Sequence, residues 1–205
     1  MMVLNSNSSS SASVVLATIC GVASASCAKA DSLRDSVTLS GTLETEWSGS
    51  TYDGSSQKFE TILQPEFNTT LTDDISLTGI FRIRGESNDK LEPTTPDQNN
   101  RSTASSTWHL GDDVDAEIRE LYVESYFGDA LVRVGKQQVV WGQADGLKVL
   151  DVVNPQSYRE FILDDFDDSR IPLWSLNVEF PVGDESLAQV IWLPDTTYND
   201  IPETG

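Results

Sequence analysis

Hydrophobic and polar residues alternate with a period of two along much of this chain. In the first such segment Val37, Leu39, Leu43 and Trp47 share one face, and polar residues fill most of the positions between them. Period-two alternation puts successive side chains on opposite sides of a sheet. The segment is therefore predicted to be a strand of about ten residues, the length that a tilted strand needs to cross a bilayer.

Six further segments show the same alternation, and the connections between them alternate in length. The strands are predicted at about 58–71, 75–86, 116–127, 130–140, 174–181 and 187–193. Long loops at about 48–57, 87–115 and 141–173 alternate with short turns at 72–74, 128–129 and 183–185. Long loops on one side and tight turns on the other are typical of outer-membrane barrels. The predicted fold is all-β: an antiparallel meander of about seven strands, part of a transmembrane β-barrel that is truncated.

Two of the short turns predict the strand register. A two-residue Gly128-Asp129 hairpin pairs Phe127 with Ala130 and Glu124 with Arg133, which keeps the apolar residues on one face. The turn at 72–74 is compatible with two registers. A three-residue turn pairs Leu71 with Ile75, Phe67 with Gly79 and Gln64 with Arg82, whereas a five-residue loop sets Glu66 against Arg82.

The charged side of the strands contains the candidate lumen residues. A polar lumen inside and lipid outside would use these two faces directly. In a soluble protein the aliphatic side would instead pack a core and the charged side would meet water. The lumen-lining candidates are Glu66, Arg82, Arg84, Glu120, Glu124 and Arg133.

Four tryptophans lie at the strand ends that carry the long loops: Trp47, Trp141, Trp174 and Trp192. Tyr126, Phe127 and Phe180 lie near the opposite ends. Two aromatic belts are what the two interfaces of a bilayer favour. Chance placement at strand ends is the alternative.

The N-terminus has the composition of an export signal. Residues 14–25 form a short apolar run, and Ala28-Lys29-Ala30 resembles a cleavage site, although residues 1–13 contain no Lys or Arg. We predict a signal peptide at 1–30 and the N-terminal part of a barrel at 31–205. Both cysteines, Cys20 and Cys27, fall in the leader, so the mature chain would have no disulfide or thiol chemistry. A lipoprotein anchor at Cys27 is a further alternative.

The chain carries a formal net charge of -20, which argues against nucleic acid as a partner because phosphates require a basic surface. The densest acidic cluster, with a neighbouring arginine, comprises Asp164, Asp165, Asp167, Asp168 and Arg170. Its spacing does not match an EF-hand, so we favour a solvated or Arg-paired loop over a calcium site. The sequence predicts no metal and no cofactor. The apolar content of the segment from Trp141 to Trp174 suggests that it folds into the lumen and narrows it. A loop packed over the mouth of the barrel is the alternative.

Three sequence stretches between Glu117 and Gly205 resemble an uncharacterised family of porin-like outer-membrane proteins of Gram-negative bacteria. They are RVGKQQVVWGQADG at 133–146, LDVVNPQ with REFILDDFDDSRIPLW over 150–174, and VIWLPD at 190–195. The resemblance implies a large barrel with a role in solute passage or organic-substrate uptake, and it implies no catalytic residues. Because members of the family are much longer, the chain is expected to be an N-terminal portion.

The sequence thus predicts an outer-membrane channel for small organic solutes, in contact with outer-membrane lipid, and not an enzyme. It leaves the oligomeric state open. A secreted β-sandwich that binds carbohydrate or another ligand is the first alternative. A secreted glycosidase is the second, since pairs such as Glu44/Glu46 and Glu120/Glu124 could supply its two acids.

Overall fold

The computed structural model describes residues 11–15, 19–20, 37–50, 56–87, 101–141, 152–158 and 168–201. These parts of the chain contain ten strands and no helix. The strands are β1 (Ser11–Val15), β2 (Ile19–Cys20), β3 (Val37–Ser50), β4 (Ser56–Thr72), β5 (Ile75–Glu86), β6 (Trp108–His109), β7 (Val114–Phe127), β8 (Ala130–Gln137), β9 (Leu173–Val182) and β10 (Ser186–Trp192).

All the strands belong to one antiparallel sheet, in which each long strand pairs with the next long strand along the chain. The order is β1-β3-β4-β5-β7-β8-β9-β10, with β2 added to β3 and β6 added to β7. The sheet is open, because its first and last strands do not pair. The all-β fold and the seven long strands confirm the predicted meander, and the architecture is consistent with part of a barrel.

Three short strands were not predicted. Two of them, β1 and β2, pair with the outer edge of β3 and fall within the predicted signal peptide, whose assignment stays a prediction. The third, β6, lies inside the predicted loop at 87–115 and pairs with Ala116 and Asp115. Four long strands, β3, β4, β7 and β9, extend one to three residues beyond their predicted bounds. β5 has the bounds that were predicted and β10 is shifted by one residue. The predicted end of β8 at residue 140 is wrong, because the strand ends at Gln137.

The β7–β8 hairpin has the predicted register. Phe127 pairs with Ala130, and Glu124 pairs with Arg133. Gly128 adopts a φ of 63° in the two-residue turn, a conformation that glycine reaches without steric cost and that the favoured hairpin turns require.

The β4–β5 turn follows only part of its prediction. Phe67 pairs with Gly79 as expected, and the Arg82 Nε donates a hydrogen bond of 3.1 Å to Gln64. The alternative register that sets Glu66 against Arg82 is wrong. The pairing of Leu71 with Ile75 is also wrong, because an irregularity between Thr70 and Thr72 pairs Ile75 with Thr72. Such a bulge takes up one extra residue in one strand.

In this sheet the charged face is more buried than the apolar face, which is the reverse of the usual arrangement in a soluble protein. Among the described residues, the large apolar side chains that are buried are Val139, Ile171 and Leu173, together with Pro172, whereas seventeen polar or charged residues are buried. On the apolar face Leu43, Leu63 and Ile83 lie side by side on three adjacent strands and are 43%, 44% and 43% exposed. Water or lipid therefore contacts the aliphatic side, and the charged side is covered.

The cover on the charged side comes from three segments that leave the sheet. They lie at 101–107, 152–158 with 168–172, and 194–201. The Ser105 Oγ donates to Asp195, and the Arg170 and Asp200 backbones pair with the segment at 156–157. These segments are joined to one another across long sequence separations.

Candidate functional site

A bulge in β7 turns charged residues from two alternating series toward the same side of the sheet. Ile80 pairs with Glu120 and Phe81 pairs with Ile118, so that Arg119 is an extra residue between two ladder positions. Glu117 and Arg119 are both buried. In strict alternation they would share the apolar face with Leu121 and Val123, and the bulge removes that conflict.

Glu117 is the centre of a buried ion cluster. Its carboxylate lies 3.0 Å from the Arg101 guanidinium, 3.6 Å from that of Arg119 and 3.9 Å from that of Arg82. Arg101 comes from the covering segment, whereas the other three residues belong to β5 and β7. These ion pairs therefore connect the segment at 101–107 to the sheet.

Lys136 brings a fourth cation to the same region. It is 2% exposed, and its Nζ donates a hydrogen bond of 2.7 Å to the Ile118 carbonyl. The preceding residue, Gly135, has a φ of 140°, and a Cβ built there would lie 2.2 Å from the Leu121 carbonyl oxygen. Only glycine therefore allows the backbones of β8 and β7 to come this close. Gly135 is also the first of three consecutive buried residues at 135–137.

A second cluster on the same face has more acids than bases. Arg84 pairs with Asp115, with its Nε donating at 3.1 Å, and it lies 3.5 Å from the Glu60 carboxylate. Glu86, which pairs with Glu60 across β4 and β5, is also buried and accepts a hydrogen bond of 3.0 Å from the Phe59 backbone. The face thus has a mainly basic cluster and a mainly acidic one side by side on β5.

The Glu124–Arg133 pair is a third contact on this face, and it was predicted. The Arg133 Nε donates to Glu124, and the guanidinium lies 6.0 Å from the centroid of the Tyr122 ring. Gln189 extends the polar surface onto β10, donating at 3.1 Å to both Asn177 and Glu179.

Asp195 joins the segment at 101–107 to the chain after β10. Its carboxylate accepts hydrogen bonds from the Ser105 hydroxyl at 2.5 Å and from the Thr197 hydroxyl at 2.7 Å. The Trp174 backbone adds a donor at 3.2 Å. Burial acts to raise the pKa of Asp195, but these hydrogen bonds outweigh it and hold that pKa at about 2, because they favour the ionised form.

The remaining predicted lumen residues also lie on the charged face. Glu66 accepts a hydrogen bond of 3.2 Å from the Ser40 hydroxyl. Glu120 pairs with Ile80 and is partly covered. All six candidates therefore share one side of the sheet, although they form separate contacts and not one site.

Only part of the acidic cluster at 164–170 lies among the residues that the structure describes. Asp164, Asp165 and Asp167 lie outside the described residues. Asp168 pairs with Arg82, and its backbone carbonyl accepts from Arg119 at 3.2 Å. Arg170 is buried and its backbone bridges to Gln156. The described end of the segment from Trp141 to Trp174 thus lies against the charged face, and its folding into a lumen stays a prediction.

Three of the four predicted belt tryptophans, Trp47, Trp141 and Trp192, are exposed. The Trp141 indole also donates to Gln189 at 2.7 Å. Trp174 is half-buried, and its indole donates at 2.9 Å to the Ala104 carbonyl. Trp174 therefore anchors the segment at 101–107 as well as lying at a strand end.

Sequence reasoning missed several residues of the clusters: Arg101, Glu117, Arg119, Lys136 and Asp195. One signal was present, since Arg119 and Glu120 are consecutive charged residues within an alternating strand. Regular alternation would place one of these two charges on the apolar face, and a bulge is one way to avoid that. Arg101 and Asp195 carry no such local signal, because their partners are distant in sequence.

Among the described residues no group of three or more His, Cys, Asp or Glu side chains is suited to hold a metal ion. Over the same residues, no helix is both long and apolar enough to span a membrane.

The chain is thus an open antiparallel all-β protein with an exposed apolar face and a buried charged one. A family model described as "Protein of unknown function (DUF1302)" matches residues 81–205. The match spans more than half of the chain, and the chain belongs to this family. No curated protein and no solved structure matches the chain.

Proposed function

We propose that this protein forms part of the wall of an outer-membrane channel that passes small organic solutes. In this proposal the apolar face contacts lipid and the charged face lines the passage. The observation that carries the proposal is that the charged face of the sheet is buried whereas the apolar face is exposed.

The exposed apolar face supports a lipid environment. Soluble monomers rarely expose contiguous apolar patches larger than a few hundred Å², yet here aliphatic rows continue across neighbouring strands. One row runs through Leu43, Leu63 and Ile83, and another pairs Val123 with Val134. In the described parts of the chain no second sheet covers these rows, as a β-sandwich would require.

The charged face supports a wet interior. Lipid would leave ionised groups without solvation or partners, whereas here they pair with one another and with the covering segments. Fixed charges along a passage set its local electric field and therefore its preference among solutes. The resemblance to porin-like proteins points in the same direction.

The proposal is tested by labelling two adjacent positions on opposite faces of β3. Leu43→Cys faces the apolar side and Thr42→Cys faces Gln64 on the charged side. Each variant is made in a background with Cys20 and Cys27 replaced by serine. The purified protein is labelled with an environment-sensitive fluorophore and reconstituted into phospholipid vesicles.

We expect a lipid-soluble nitroxide to quench the fluorophore at Leu43→Cys, and aqueous iodide to quench it at Thr42→Cys. Iodide quenching at both positions, from protein that stays in the aqueous fraction, would overturn the proposal and favour a soluble binding module. A conductance measurement in a planar bilayer, made on a complete, closed barrel that contains these strands, then tests passage directly. Such a barrel without any conductance would contradict the channel.

A further inference from the structure

The cluster around Glu117 contains more positive than negative charge. Its described cations are Arg82, Arg101, Arg119 and Lys136, and its described carboxylates are Glu117 and Asp168, with the charge of Asp195 also acting on Lys136. The whole chain has 13 Lys and Arg residues and a net charge of -20. A local excess of basic residues is therefore unusual in a chain as acidic as this one.

The two carboxylates differ in how firmly they are held. Glu117 is buried and shared among three arginines. The Asp168 side chain is 40% exposed, whereas that of Arg82 is only 14% exposed. Asp168 comes from a covering segment and not from the wall, so that it is the partner of Arg82 that another acid can most easily replace.

Arg82 is positioned to receive such an acid. Its Nε is held by Gln64 at 3.1 Å, and one terminal nitrogen is 3.9 Å from Glu117. The other terminal nitrogen contacts Asp168. A guanidinium fixed in this way presents its remaining donor in a defined direction, which suits carboxylate recognition.

Given the proposed channel, we infer that this cluster is a binding site for small organic carboxylates, in which the solute's carboxylate displaces Asp168 from Arg82. Asp168 then acts as a built-in competitor that occupies the site when solute is absent. The inference rests on the proposed function and names its class of solute.

The test uses benzoate as a probe with a complete, closed barrel that contains these strands, reconstituted in planar bilayers. Benzoate is added to a chloride current, and the concentration that halves the current reports its binding. Two variants break the same ion pair from opposite sides: Arg82→Gln removes the receptor, and Asp168→Asn removes the competitor. The Glu124–Arg133 pair on the same face supplies the matched controls Arg133→Gln and Glu124→Gln.

We expect Arg82→Gln to weaken the benzoate block by about tenfold or more, as loss of a charge-assisted hydrogen bond does. Asp168→Asn should strengthen the block. Arg133→Gln and Glu124→Gln report the effect of losing one lumen charge of either sign, and each should change the block by less than the corresponding Arg82 or Asp168 variant does. Opposite effects of the two variants distinguish a binding site from a structural ion pair. If the pair were purely structural, breaking it from either side would weaken the benzoate block in both variants.

A conducting channel in which Asp168→Asn leaves the benzoate block unchanged or weakens it would overturn this inference while the proposed channel stands. A complete wild-type barrel that passes no ions would overturn both. If Arg82→Gln does not reach the membrane, Arg82→Lys keeps the charge and loses the planar guanidinium. We then expect a weaker block than in the wild type, and an unchanged block would contradict the inference.

Discussion

Leu63→Arg tests which medium the apolar face contacts, because the cost of the substitution differs between water and lipid. Leu63 is 44% exposed near the middle of β4. An arginine on the lipid face of a barrel costs about 2–4 kcal/mol at the bilayer midplane and about 0–1 kcal/mol near the interface. On a surface in contact with water the same change is usually within about 0.5 kcal/mol of neutral.

Thr69→Arg is the control, since Thr69 lies on the same face and strand but near the short turn. Six residues separate the two positions, which is about 20 Å along a strand that rises about 3.3 Å per residue. At a tilt of about 40° this becomes about 15 Å along the bilayer normal, or about half the thickness of the hydrocarbon core. We therefore expect Leu63→Arg to lower the free energy of unfolding by about 2–4 kcal/mol and Thr69→Arg by about 1 kcal/mol or less.

The assay is denaturant unfolding of protein reconstituted in phospholipid vesicles, followed by tryptophan fluorescence. The difference between the two variants is the decisive quantity. Equal values for Leu63→Arg and Thr69→Arg, both within about 0.5 kcal/mol of the wild type, would refute the lipid contact. Equal large losses would instead indicate a face packed against protein.

Two further predictions concern the hairpin and the segment that follows β10. Gly135→Ala should destabilise the fold by more than about 1–3 kcal/mol, because its Cβ would lie 2.2 Å from the Leu121 carbonyl at a φ of 140°. Gly183→Ala, which strains the backbone at a φ of 69° but meets nothing within 4 Å, should cost only about 1 kcal/mol, and equal unfolding midpoints for the two variants would contradict the steric argument. The depressed pKa of Asp195 makes its contribution to stability complete above about pH 4 and lost as the pH falls through about 2. Asp195→Asn should remove this dependence from melting curves recorded between pH 5 and pH 2, and an unchanged slope would show that Asp195 is not its source.

The sheet was predictable from sequence because its information is local. Period-two alternation and the Gly128-Asp129 turn fix which residues pair in β7 and β8, and each pairing constrains the next. The bulges were harder, since the extra residue at Arg119 or Leu71 changes the register without changing composition. The position of a bulge depends on how two strands fit together and not on either strand alone.

The clusters were less predictable because they depend on segments far apart in the chain. Ser105 and Asp195 lie 90 residues apart, and no spacing rule connects them. Asp168 was predicted to be solvated or paired with a nearby arginine, yet its partner is Arg82, 86 residues away. The alternating pattern identifies the charged face, whereas the packing of the covering segments decides which charges meet.

The exposed aliphatic rows have a consequence for how such a chain reaches its destination. Between synthesis and insertion, the strands carrying Leu43, Leu63 and Ile83 would travel through water with nothing to shield them, and their unpaired edges would invite association with other copies. Under the proposed function, a chaperone would therefore be needed to hold those strands apart until they insert into a bilayer. In its absence we expect the newly made chain to precipitate.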